Sequence, residues 1–543
     1  MIGQWEIIST FGAVSQKAIV APMNFKAGII LIFLTVLPVF APGDSSSQWI
    51  VVSAPDFLNE LMPLCEYRKA EGLVVIVMKT TDILSDEEIR EGNAESLWNH
   101  LMRLCKQNTG KNYILLAGAL NAVNPDMIVK TVVPGLPGRT NRMNGQMSDH
   151  AYGNPGHDYA HRVAVGRFPA QSKDEMRAMV EKTLRYEREK SFGLWRNRLV
   201  TMIGNPGGRS LIEKRFAEFV IRLYEEKVFG DISPCWNINI LSHSPLSSFF
   251  VPGEKLEHEF MSRIEMGGLF TIYLGHSDAD KLYSDGISFM QKHKWQSLAI
   301  QTGQGTLFTC GCHACQYQSK EGYGLTAMKN PSGPVAVIGA YGETYGVIGL
   351  LAVQGLLKYM NSTPGKARLA DYWLAVTDGI ARMNMSNFMF ALFDQADGSR
   401  GTVPLAMQRK EHLEMWTLFG DPGLNQWTIP QDIQLEVSDT ITTGSTITVR
   451  GILPARLAGG NVHMTLEWTG NSQPQTQTVT STGDRFETCF MAPVELPPAR
   501  IRIRAYATRK TDEGLGALAL TVESRSAPDQ KNQTNPSDRS DPS

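Results

Sequence analysis

The sequence predicts an α/β protein: two consecutive series of buried, mostly parallel strands with helices between them, then a smaller all-β sandwich. Three features predict it. Short apolar runs alternate with amphipathic helical stretches from residue 49 to about 383. The runs are continuously apolar rather than alternating, as parallel strands covered on both faces are. From about 430 the pattern changes to period two with Gly and Pro turns between, the signature of strands with one buried face.

Trp49-Ile50-Val51-Val52-Ser53-Ala54 reads as the first strand. Residues 56–71 follow with Phe57, Leu58, Leu61, Leu64 and Tyr67 at helical spacing, and Gly72 stops that helix. Residues 73–78 are the second strand, 86–107 a helix, and Tyr113-Ile114-Leu115-Leu116-Ala117-Gly118 the third strand. Residues 119–162, rich in Gly, Pro, Asn and His, read as loop. Another strand at 163–169 and a charged amphipathic helix at about 172–190 complete a first α/β unit, 48–195. The second unit, 196–429, has strands at 199–204, 238–241, 269–274, 306–311 and 335–339. Its helices fall near 210–227, 346–361 and 366–383. The alternating segments 433–437, 446–450, 462–468 and 501–506 place the β-sandwich at 430–523. Residues 524–543 carry almost no apolar side chain and are expected to be disordered.

The N-terminus carries a different signal. Lys26 precedes 15 uncharged residues, 27–41, that end in Pro and small side chains. This is short for a membrane span and reads as a secretory signal peptide cleaved after Ala41 or Gly43. Residues 1–43 are assigned to it, with 1–22 an upstream extension if Met23 is the start. The expectation is an exported protein, secreted or attached to the cell envelope, with no stable membrane span once the signal is removed.

Composition narrows the function. Lys+Arg 52 against Asp+Glu 54 gives a net charge of -2, which argues against a protein built to hold nucleic acid. Seven cysteines in 543 residues exclude a small disulfide scaffold. Two strands end in reactive side chains. One is Leu269-Phe270-Thr271-Ile272-Tyr273-Leu274-Gly275-His276-Ser277. The other is Gly305-Thr306-Leu307-Phe308-Thr309-Cys310-Gly311-Cys312-His313-Ala314-Cys315. Ligands gather at the carboxyl edge of an open α/β sheet. There a thiol and an imidazole from adjacent strand tips can act as nucleophile and acid/base, with backbone N–H groups for an oxyanion.

Residues 49–428 resemble peptidase family C25, the gingipain family of cysteine peptidases. Tyr113-Ile114-Leu115-Leu116-Ala117-Gly118, Ser148-Asp149-His150-Ala151-Tyr152-Gly153 and Val165-Gly166-Arg167-Phe168-Pro169 carry the resemblance. So do the helix to Tyr186-Glu187, Tyr273-Leu274-Gly275-His276 and Leu418-Phe419-Gly420-Asp421-Pro422-Gly423-Leu424. The resemblance implies a caspase-like fold followed by an immunoglobulin-like domain, and endopeptidase activity on protein or peptide substrates through a Cys thioester. Cys312-His313-Ala314-Cys315-Gln316-Tyr317 fits the family's nucleophile turn. Cys312 is then the nucleophile, His276 its acid/base partner, and the N–H groups of Ser277 and Cys312 the oxyanion hole. Tyr345, in Gly342-Glu343-Thr344-Tyr345-Gly346, takes the place of the aromatic over the primary pocket, and Glu343 beside it either pairs with a basic substrate side chain or faces solvent, as most loop glutamates do.

The chain departs from the family at four points, the first being Ala119 where the family has Asp after the 113–118 strand. Ser277 stands where the family has Gly, and a positive-φ turn there would cost Ser more. Pro206 stands near the family's active-site Glu, and no counterpart of the arginine-selecting Asp occurs near 209–214. Arginine preference is therefore not carried over. No cofactor is expected, apart from a structural calcium ion that Asp149 and Asp158 leave open. Two alternatives remain: a catalytically inactive scaffold of the same fold, and a metal site at 310–315 formed by Cys310, Cys312, His313 and Cys315.

Overall fold

The structure is a computed structural model. It describes residues 47–521 apart from 123, 155–158, 189–191, 206–210, 226–231, 318–319, 363–364, 438–440, 469–473 and 494–499. The signal region 1–43, Pro206, Asp158 and the tail from 524 lie outside the described residues.

The α/β region is built on one ten-stranded sheet. Its strands are β1 (Gln48–Ser53), β2 (Val74–Lys79), β3 (Asn112–Ala117), β4 (Ala164–Phe168), β5 (Arg198–Ile203), β6 (Asn237–Ser242), β7 (Gly268–Leu274), β8 (Gln304–Thr309), β9 (Ala336–Ala340) and β10 (Trp416–Phe419). They lie in the order β2-β1-β3-β4-β10-β9-β8-β7-β5-β6. The expectation of two subdomain sheets is thus replaced by one sheet with two parallel halves. Within each half every pairing is parallel; β9 and β10 pair antiparallel. The two halves therefore run in opposite directions. Their seam is β10, a short strand contributed by the end of the region, which no six-residue apolar run announces.

Helices cover the sheet. α1 (Leu58–Ala70) packs near α4 (Lys173–Arg188). The single helix expected over 86–107 is two, α2 (Asp86–Glu91) and α3 (Glu95–Gln107). α2 is closed by a Ser85/Glu88 capping box at its start and by left-handed Gly92 at its end. α5 (Leu211–Tyr224) follows β5, and α6 (Gly346–Ser362) packs along α7 (Leu369–Arg382). α8 (Asn387–Asp397), unforeseen in the sequence, lies against α5 and α6.

The motifs that carry the family resemblance outside β7 and β8 are structural. Arg167 on β4 is fully buried. Its Nε and Nη2 donate to Asp149 at 2.8 and 2.6 Å, and its Nη1 donates to the carbonyls of Gly118 and Val133 at 2.7 and 2.9 Å. Arg68 on α1, equally buried, donates to Glu187 at 2.8 Å and to Asp421 at 2.6 Å; Trp49 Nε1 donates to the other Asp421 oxygen at 2.9 Å. At Gly166 a Cβ would lie 2.2 Å from the Gly420 carbonyl, so glycine is what lets the chain after β10 approach β4.

Beyond Pro430 the strands form two antiparallel sheets. One has 434–437, 446–452 and 485–491; the other has 475–480, 461–468, 500–509 and 512–521. The apolar residue of each alternating pair, such as Ile447, Val449, Val462, Met464, Ile501 and Ile503, enters one shared cluster. Leu515 of this region meets Cys235 and Ile429, and Arg504 donates to the Trp236 carbonyl at 3.3 Å.

Candidate active site

The register of β7 and β8 brings the predicted pair together. Tyr273 lies opposite Thr309, and the Cys310 N–H donates to the Tyr273 carbonyl at 2.8 Å. His276 and Cys312 each follow that matched pair by three residues. Both line one cavity of about 80 Å³ at the carboxyl edge of the second half. β5 also reaches it through Ile203 and Gly204. The chain leaves β5 for β6 on one side and then crosses back past β5 to β7 on the other, so the cavity sits at the switch point of this half.

Cys312 is partly buried, and its sulfur accepts the Thr344 N–H at 3.3 Å, with Thr344 Oγ1 3.6 Å away. Thr344 is itself fixed, donating its hydroxyl to the Cys310 carbonyl at 2.9 Å. Burial pushes the Cys312 thiol above its ordinary range; the two Thr344 contacts oppose this, while the charges of Asp397 and Glu343 add to it. His313, next in the chain, has φ +58°, uncommon for a non-glycine residue, and its N–H donates to the Gly342 carbonyl at 2.9 Å. The backbone is thus pinned in a tight turn just after the sulfur.

Ser277 incurs no left-handed strain, since it is not among the residues with positive φ. Its hydroxyl donates to the Cys312 carbonyl at 2.7 Å and so ties the histidine segment to the cysteine turn, a bond glycine could not make. His276 and Ser277 pair with Tyr283 and Leu282 in an antiparallel hairpin. Asp278 N–H donates to Lys281 O, which makes 278/281 a hydrogen-bonded pair. Ser277/Leu282 is then the intervening non-hydrogen-bonded pair, and the Ser277 N–H faces away from the hairpin.

One residue of the site escaped sequence reasoning. Asp397, the last residue of α8, places Oδ1 3.4 Å from His276 Nε2. It packs against Gly346, the first residue of α6: a Cβ there would fall 2.4 Å from Asp397 Oδ2. The glycine after Tyr345 was the available signal, since it marks a spot that another group occupies.

Glu343 and Tyr345 stand elsewhere. Neither lines the cavity. Arg142 donates to the Glu343 carbonyl at 2.7 Å, and its guanidinium lies 4.1 Å from the centre of the Tyr345 ring. The Tyr345 N–H donates to His412 Nε2 at 2.8 Å.

The clustered cysteines also separate. All seven thiols are free. Cys310 is buried against the Gly349 carbonyl, whereas Cys315 is buried beside Gly339 on β9. Among the described residues no group of three or more His, Cys, Asp or Glu is placed together to hold a metal ion. Both carboxylate oxygens of Asp149 accept from Arg167.

The sequence profile of Peptidase family C25 matches residues 43–427. None of the curated proteins matches the chain. Solved structures similar to it include the complex of Porphyromonas gingivalis RgpB pro- and mature domains. That match has 14% identity over 88% of this chain and 100% of that one, with a TM-score of 0.47. A structure described only as a protease has 12% identity over 88% of this chain and 98% of that one, TM-score 0.49. Dimeric latent PorU from Porphyromonas gingivalis has 13% identity over 89% of this chain and 44% of that one, TM-score 0.34.

Proposed function

This chain belongs to peptidase family C25, and from that membership we propose that it is an exported cysteine endopeptidase working through Cys312 and His276. The observation that carries the reading is the matched register: both side chains stand three residues beyond one β7/β8 pair and line one cavity. In this reading the sheet is caspase-like and residues 430–523 are an immunoglobulin-like domain.

The chemistry uses Cys312 as nucleophile and His276 as acid/base. Cys312 Sγ attacks the substrate carbonyl carbon as its proton passes to His276, forming the S–C bond. The oxyanion is held by the N–H groups of Ser277 and Cys312. The intermediate collapses with cleavage of C–N, and His276 returns the proton to the leaving amine. Water, deprotonated by His276, then cleaves the thioester. Asp397 holds the imidazole so that its other nitrogen is presented to the sulfur, the part that Pro206 cannot play.

Cys312→Ala should abolish peptide hydrolysis and leave the melting temperature nearly unchanged, while Cys310→Ala and Cys315→Ala, which empty buried positions, should act on stability. Full activity in Cys312→Ala would overturn the assignment. Export rests on the 27–41 run, and no described helix is long and apolar enough to cross a membrane. N-terminal sequencing should find a start at residue 42 or 44, and an intact Met1 or Met23 would remove export from the reading.

A further inference from the structure

We propose that the cavity beside Cys312 receives an apolar side chain at P1, the substrate residue whose carbonyl is attacked. The inference rests on the peptidase reading and adds the substrate class. The described walls are Ala217 and Ile221 of α5, Leu274 of β7, Val347 and Leu350 of α6, and Phe393 of α8. Four elements from distant parts of the chain thus converge with hydrocarbon on a space whose rim is the nucleophile. A side chain attached one bond from the attacked carbonyl reaches this space first.

The charged groups decide the chemistry of the occupant. The titratable residues among the described lining are His276, Asp397, Cys310 and Cys312. Burial alone pushes the Cys310 thiol up, which leaves it neutral. Asp397 is engaged at 3.4 Å with His276 and wedged against Gly346. Besides Asp397 no described carboxylate lines the cavity to meet a Lys or Arg side chain, and burying a cation among apolar walls without a partner is strongly unfavourable. An Asp or Glu side chain would face Asp397 itself. Glu343, the residue the sequence suggested for a basic substrate, does not line this space.

The test uses the full purified chain with a fluorogenic peptide library varied at P1, and two acyloxymethyl ketone probes with P1 Leu or Arg, read by peptide mapping at Cys312. Leu, Met or Phe at P1 should exceed Arg and Lys by at least about 100-fold in kcat/KM, since a pocket lacking a partner rejects the charged side chain. The Leu probe should label Cys312 faster. Ala217→Phe, which fills the cavity, should lower cleavage after Leu and Phe relative to cleavage after Ala. Equal or better cleavage after Arg or Lys would overturn the P1 assignment and leave the peptidase reading standing. So would an unchanged P1 profile in a folded Ala217→Phe protein. No cleavage after any residue, with no labelling by either probe, would overturn the peptidase reading and this inference with it.

Discussion

Replacing Arg167 by Met should destabilise the protein more than any exposed substitution, although Arg167 touches no part of the cavity. The side chain is fully buried and its guanidinium makes four short hydrogen bonds, two to Asp149 and one each to the carbonyls of Gly118 and Val133. Met keeps the stem and removes every donor. Asp149 would remain buried with only the Tyr341 hydroxyl, 3.4 Å away, beside it. Removing one partner of a buried ion pair costs about 3–5 kcal/mol. That is a large part of the ~5–15 kcal/mol that holds a typical domain together. With a urea m-value of about 2–3 kcal/mol/M, the unfolding midpoint should fall by about 1–2.5 M. Urea titration followed by tryptophan fluorescence reads this directly. Adding Asp149→Leu removes the orphaned charge, so the double variant should lose less than the sum of the single losses by about 0.5–3 kcal/mol. A loss below 1 kcal/mol in Arg167→Met, or strict additivity in the double variant, would refute the reasoning that this pair is a buried staple of the sheet.

Two further predictions concern the site. Asp397→Asn should lower kcat by about 10- to 100-fold with little change in KM, because the imidazole loses its orientation while the cavity keeps its shape. Gly346→Ala should have the same effect with the carboxylate retained, since its Cβ would displace Asp397; wild-type kcat in both variants would remove Asp397 from the mechanism. The third prediction is pH dependence. Burial raises the Cys312 thiol, so at pH 7 less of it is thiolate than the roughly 3% of an ordinary cysteine. Its alkylation by iodoacetamide should therefore rise with pH through a midpoint above about 8.5. A rate already at its plateau at pH 6 would mean a resting thiolate–imidazolium pair.

The sequence by itself determined nine of the ten strands of the large sheet, β1 to β9, the change to alternating strands near 430, and the two side chains at the tips of β7 and β8. These are local properties: a continuous apolar run reports burial on both faces, and a reactive residue just past a strand reports its place at the carboxyl edge. Tertiary structure decided the rest. That the two halves share one sheet depends on β10, four residues whose pairing with β4 and β9 joins segments about 80 and 250 positions apart. The break at Gly92 depended on a left-handed turn inside an otherwise helical pattern. The loop 342–346 was read as presenting Glu343 and Tyr345, yet Thr344 is the residue that bonds the sulfur, while Arg142 and His412, remote in sequence, hold the Glu343 carbonyl and the Tyr345 ring and N–H. Asp397 stands 121 residues after His276, beyond the reach of any spacing rule, and the packing of α8 on the first residue of α6 is what places its carboxylate beside the imidazole.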